Sequence, residues 1–142
     1  MDKKYKVGYT TGVFDLFHIG HLNILRQAKE RCEHLVVGVS TDDCVREYKR
    51  RLPVIPFEER IAIVKAIKYV DEAVSQDTMN KLDAWDRIRF DALFHGDDWK
   101  GSALYDEYEK KFAGMGVHII FLPHTVGTSS TEVAKRLQEE RI

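Results

Sequence analysis

The chain has 142 residues, with 22 Lys and Arg against 23 Asp and Glu, a formal net charge of −1. A domain of this size buries a core without staples. Balanced charge excludes a bulk electrostatic case for nucleic acid or membrane, so any phosphate binding must come from local placement of charge. The opening "MDKKYKVGY" lacks the apolar core of a signal peptide, and no run approaches membrane-spanning length. Two isolated cysteines, Cys32 and Cys44, argue against a disulfide framework or zinc site, and a cytoplasmic protein is expected.

In chain order, "YKVGYTT" (5–11) reads as a strand. Leu22, Leu25, Ala28 and Cys32 then follow helical spacing, and "HLVVGVS" (34–40) is a second, buried strand. A helix opened by "PFEER" runs from Pro56 to Tyr69, with Ile61, Val64, Ala66 and Ile67 inward. "VDEAVS" and "DALFHG" read as a third and fourth strand, 105–112 as a helix, "GVHIIFLP" as a fifth strand and "SSTEVAKRLQEER" as a closing helix. Strand–helix alternation implies an α/β fold: one domain over 1–142, a Rossmann-like doubly wound sheet of about five mostly parallel strands with helices on both faces. Ligands of such sheets sit outside the carboxyl ends of the strands, where "GVFDLFHIGH", "HGDDW" and "PHTVGTSST" fall.

In the first of these, His18 and His21 flank Gly20 where a strand hands over to a helix. A helix start offers unpaired N–H groups and partial positive charge, glycine permits close approach, and imidazole N–H groups would add donors. Together they suit an anion such as a phosphate. Two packed or surface histidines, or a metal pair, are the competing readings. No third ligand is evident for a metal, no nucleophile elbow is present, and no GxGxxG follows the first strand. Asp15 orients an amide or a metal-bound water, or caps the helix. "YKRR" is a basic loop, Arg60 serves the fold, a dimer contact or a helix ion pair, and Lys81 lies in a poorly specified segment.

"GVFDLFHIGH" resembles the HxGH signature of the nucleotidyltransferase superfamily. Four further blocks, "VGVSTDD", "VIPFEERIAIVKAIKYVDEAV", "HGDDWKG" and "TVGTSST", are similar to the cytidylyltransferase family, and best to its short bacterial glycerol-3-phosphate cytidylyltransferases. The resemblance covers nearly the whole chain. It implies transfer of CMP from CTP to sn-glycerol 3-phosphate, giving CDP-glycerol for teichoic-acid or capsule polymers, with Mg²⁺ carried on the CTP phosphates and a homodimer.

By the same resemblance, His18, His21 and Lys49 are catalytic. Val13, Phe14, Ile19, Gly20, Arg51, Asp97, His124, Thr125, Gly127, Thr128, Ser129, Ser130 and Thr131 join the histidines on the nucleotide, and Lys49 and Lys81 hold the second substrate. Three positions depart from the family pattern. Val13 stands where some bacterial relatives carry threonine, Thr128 stands for isoleucine, and His124 replaces an arginine, which removes a permanently charged, bidentate phosphate contact. Phosphocholine or phosphoethanolamine is the alternative substrate, Tyr48 and Trp85 being candidates for an aromatic cage. An ATP-using adenylyltransferase and a nucleotide sensor without turnover are the further alternatives.

Overall fold

A computed structural model describes residues 4–97, 101–126 and 129–139. The elements are β1 (Tyr5–Gly12), α1 (Ile19–Arg31), β2 (Cys32–Ser40), α2 (Asp42–Lys49), α3 (Phe57–Ala66), β3 (Glu72–Gln76), α4 (Lys81–Ile88), β4 (Ala92–Gly96), α5 (Ala103–Ala113), β5 (His118–Leu122) and α6 (Ser130–Glu139). The strands form one sheet in the order β3-β2-β1-β4-β5, and all four pairings are parallel.

Alternating side chains send each strand's apolar residues to two cores. Leu35, Val37, Val39 and Phe94 pack with Leu25 and Ala28 of α1 and Val64 of α3. Val36, Leu93 and Tyr9 pack instead with Ala84 of α4 and Phe112 of α5. Both faces are therefore covered, as a parallel sheet requires. The chain winds from β1 outward to β3, then returns across the sheet to β4. The strand order thus reverses between β1 and β4, and a crevice opens at their carboxyl ends.

Several boundaries differ from the sequence expectation. Cys32 opens β2 instead of ending α1, because its thiol packs inward beside Tyr5, its partner in the β1–β2 register. The helix expected from Pro56 to Tyr69 stops at Ala66, whose side chain is exposed. Two helices were not foreseen. Thr41 caps α2 by accepting from the Cys44 amide at 3.2 Å, with Asp42 and Asp43 in the first turn and Lys49 in the last. Those charges suit the helix dipole. Asn80 caps α4 in the same way through Leu82 N at 2.9 Å.

Candidate active site

The turn from β1 into α1 is held by its own histidines. Gly20 N donates to His18 Nδ1 at 3.0 Å, and His18 N donates to His21 Nδ1 at 3.2 Å. The rings stack with centroids 4.0 Å apart, and Phe14 and Phe17 pack against His21 at 5.4 and 5.2 Å. Because each Nδ1 accepts, the proton of each neutral ring sits on Nε2. Burial lowers His18 below the usual imidazole range. Burial, reinforced by the neighbouring His18, brings His21 down to about 3. Both are neutral at pH 7 and present Nε2–H donors. Protonating either Nδ1 would destroy a capping bond. The pair forms a capping box, in which the His18 side chain also accepts from the His21 amide, and among the described residues the Ile19 amide at the start of α1 has no protein acceptor. Gly20 does not have positive φ, so its value here lies in the missing Cβ.

Nitrogen-15 NMR of the imidazoles at pH 7 is expected to show the Nε2–H tautomer for both. Linkage gives the sign of the pH effect on stability. With folded pKa values below the unfolded one, the unfolded chain takes up protons first, so stability falls as pH drops below about 6.5.

Upstream of the histidines, Phe14 and Leu16 adopt left-handed backbone at φ 55° and 50°. Such non-glycine residues carry strain of about 1 kcal/mol or more each. Asp15, between them, holds the strained turn. Its two carboxylate oxygens accept from Val54 N and Ile55 N, both at 2.9 Å, and its carbonyl accepts from Ser130 Oγ at 2.5 Å. Of the three roles open for Asp15, this geometry selects the orienting of amides.

Arg60 completes the clamp. It is 1 % exposed, with Nε donating to Ile55 O at 2.8 Å, Nη1 to Val13 O and Ser40 O at 2.7 Å each, and Nη2 to Asp42 at 2.7 Å. The carboxyl ends of β1 and β2 and the loop before α3 are thereby riveted together. The sequence left Arg60 open among fold, dimer and helix ion pair, and the structure gives it to the fold. Among the described residues Arg60 has no i±3 or i±4 ion pair.

The basic candidates gather near the same edge. Lys49, exposed at the end of α2, is lowered by burial and by Arg51, and raised by Asp15 on the histidine turn. Lys81 opens α4 and is 3 % exposed, with the Cys44 thiol of α2 as its electrostatic neighbour. Burial pulls it down to about 8. No hydrogen bond or ion pair ties its ammonium to another described residue, an arrangement that leaves it available to an anion.

On the opposite side of the crevice, the Thr125 hydroxyl accepts from Asn23 Nδ2 of α1 at 2.7 Å. Ser129 accepts from Glu132 N at 3.1 Å as a helix cap, and Thr131 lies exposed in the first turn of α6. Ser130 is joined to Asp15, so three of the four described hydroxyls expected on the nucleotide have protein partners. His124 Nδ1 and Asp97 Oδ1 lie 2.7 Å apart, joining the loops after β5 and β4. That hydrogen bond holds the Asp97 carboxyl below its usual range. Ile19 is 53 % exposed at the α1 start, whereas Phe14 is buried. Trp99, Gly127 and Thr128 lie outside the described residues.

Tyr48 and Trp85 are not brought together. Ser40, which bonds the Tyr48 hydroxyl, ends β2 at the carboxyl edge. Trp85 Nε1 donates at 3.1 Å to Phe90 O, just before β4 and therefore at the amino edge, and its ring carries Arg89 at 4.1 Å. Sequence reasoning missed Asn23, Asp42 and Gln76 as parts of this edge; only the Thr41–Asp42–Asp43 capping signal pointed there.

Comparison with known proteins agrees with this arrangement. The model of the family described as Cytidylyltransferase-like matches residues 9–136. Ethanolamine-phosphate cytidylyltransferase of Arabidopsis thaliana is 39 % identical over 140 residues, covering 91 % of this chain; the chain spans only 31 % of that protein. FAD synthase of Thermococcus kodakarensis is 35 % identical over 130 residues, 89 % of this chain and 86 % of the relative. Among solved structures, the lipopolysaccharide core biosynthesis protein of Thermoplasma volcanium superposes with a TM-score of 0.71 at 25 % identity, over 85 % of this chain and 97 % of that one. With its five-stranded parallel sheet and a histidine pair at the β1–α1 turn, the chain belongs to the cytidylyltransferase-like family of nucleotidyltransferases.

Proposed function

We propose that the protein transfers CMP from CTP to a small alcohol phosphate, sn-glycerol 3-phosphate, giving CDP-glycerol and pyrophosphate. The carrying observation is the neutral histidine pair, whose Nε2–H donors share one sheet edge with Lys49 and Lys81. A phosphate oxygen of the substrate attacks the α-phosphorus in line, and the bond to the β-phosphate oxygen breaks as pyrophosphate leaves. A phosphate monoester is already a competent nucleophile near neutral pH, so catalysis reduces to alignment and charge stabilisation. In this reading His18 and His21 donate to the triphosphate. Lys49 and Lys81 take the incoming phosphate, and Arg51 and the α6 start complete the nucleotide contacts.

The donor set fits a Mg²⁺ carried by the nucleotide. The Asp15 oxygens are both taken by backbone amides and Asp97 faces His124, which leaves the ion to the triphosphate oxygens. Bound there, it would neutralise charge on the leaving pyrophosphate.

The separation of Tyr48 from Trp85 supports a polyol phosphate over a quaternary ammonium, which needs aromatic faces around it. The decisive assay is pyrophosphate release with CTP, and with ATP in its place, across glycerol 3-phosphate, phosphocholine, phosphoethanolamine and flavin mononucleotide. The expected result is turnover with CTP and glycerol 3-phosphate. Turnover confined to ATP with the flavin phosphate would transfer the protein to the reaction named in its FAD synthase relative, and CTP binding without release would make it a sensor.

Lys81 supplies a pH signature. Its ammonium deprotonates above about 8, so KM for the alcohol phosphate is expected to rise through that pH. Stability should move the other way, increasing between about 8 and the ordinary lysine value near 10.4, because there the unfolded chain binds the extra proton.

A further inference from the structure

Tyr9 lies in the middle of β1 with no exposed surface, yet it carries a polar tip into the sheet. Its ring reaches across β2 over Gly38, and its hydroxyl donates to Gln76 Oε1 at the end of β3. A Cβ at Gly38 would collide with that hydroxyl and come within 3.1 Å of the Gln76 oxygen, so the glycine holds open the path. Burial raises the phenol to about 12, and it stays a neutral donor.

Gln76, itself 3 % exposed, passes the contact on. Its Nε2 donates to Thr78 O, and its backbone carbonyl accepts from the amide of Thr41, the residue that caps α2, at 3.1 Å. Thr78 Oγ1 accepts from Asn80 N at 3.2 Å, and Asn80 caps the helix that Lys81 opens. A core pair of this size could be filled by apolar side chains without dehydrating two polar groups. The polar choice instead runs an unbroken hydrogen-bonded path from the centre of the sheet to the base of Lys81.

We propose that the Tyr9–Gln76 pair is a positioning strut, which sets where Lys81 presents its ammonium to the second substrate. The strut rests on the reading of Lys81 given above. It acts on the alcohol phosphate and not on CTP, since it meets α4 and the α2 cap and leaves the histidine turn alone.

The test uses Tyr9→Phe, the double variant Tyr9→Phe/Gln76→Leu, Lys81→Met and the Tyr9→Phe/Lys81→Met combination. Steady-state KM for sn-glycerol 3-phosphate, kcat, CTP affinity by calorimetry and urea midpoints are measured for each. Tyr9→Phe leaves a buried amide oxygen without its donor and lowers the urea midpoint; the double variant removes that donor and acceptor together, leaves Thr78 O, on an exposed residue, to water, and recovers most of the loss. If the pair were only structural, KM would recover with stability. The strut predicts that KM stays raised about tenfold in both, with CTP affinity unchanged. Lys81→Met alone raises KM about a hundredfold, and Tyr9→Phe adds nothing to it, the non-additivity of one shared path. Recovery of KM in the double variant, or additive effects with Lys81→Met, overturns the strut. An unaltered KM in Lys81→Met removes the reading of Lys81 itself, and the strut with it.

Discussion

Replacing either histidine of the β1–α1 turn with alanine is expected to lower turnover by at least 10²-fold, the size of one lost transition-state donor. The geometry adds a complication and a way round it. Each imidazole also works as a cap, since His18 Nδ1 takes the Gly20 amide and His21 Nδ1 takes the His18 amide. Losing a cap costs about 1 kcal/mol, which a domain with a margin of roughly 5–15 kcal/mol survives. His18→Asn separates the two roles. Asparagine is a good N-cap and should return the lost stability, but its side chain is too short to put a donor where Nε2 stands. Stability restored with turnover still depressed, measured by urea unfolding and pyrophosphate release, is the expected pair of results. Near-normal turnover in both alanine variants would sink the catalytic reading of the turn.

Arg60→Met is expected to produce the largest loss of stability, about 3 kcal/mol, read as a fall in the urea midpoint at unchanged slope. The guanidinium satisfies the carbonyls of Val13, Ser40 and Ile55 and the carboxylate of Asp42 from a site that water does not reach. Methionine fills much of the volume but leaves all four acceptors short of a donor. Arg60→Lys should recover only part of the loss, because a compact ammonium cannot span four acceptors arranged around a planar fork. Turnover should fall further than stability requires, since Val13 O belongs to the strained turn and Ile55 is bound by Asp15 as well. A destabilisation below about 1 kcal/mol would mean that the clamp is dispensable.

The histidine turn, the parallel alternation and the three loops on one edge were legible because each depends on residues close in the chain. Periodicity exposes the buried faces of α1 and β2, and the Gly20 and histidine spacing marks the start of α1. The α2 cap was equally local, and the Thr41–Asp42–Asp43 run could have announced it. Lys81 stood in a segment without clear periodicity, and its surroundings come from far along the chain, with the Cys44 thiol of α2 as its electrostatic neighbour and the Tyr108 hydroxyl of α5 on its backbone amide.

Local order in the chain was thus sufficient for the class of fold and for placing the histidine pair at the β1–α1 turn on its carboxyl edge. Packing alone decided that Arg60 lies inside the fold, that Asp15 spends its carboxylate on two amides, and that His124 stands against Asp97. Packing likewise set Tyr48 by the carboxyl edge of the sheet and Trp85 by the amino edge. The reason is common to all four. A charged or polar side chain takes its role from whichever partners remain when solvent has been removed, and those partners are brought in by strand order, not by position along the chain.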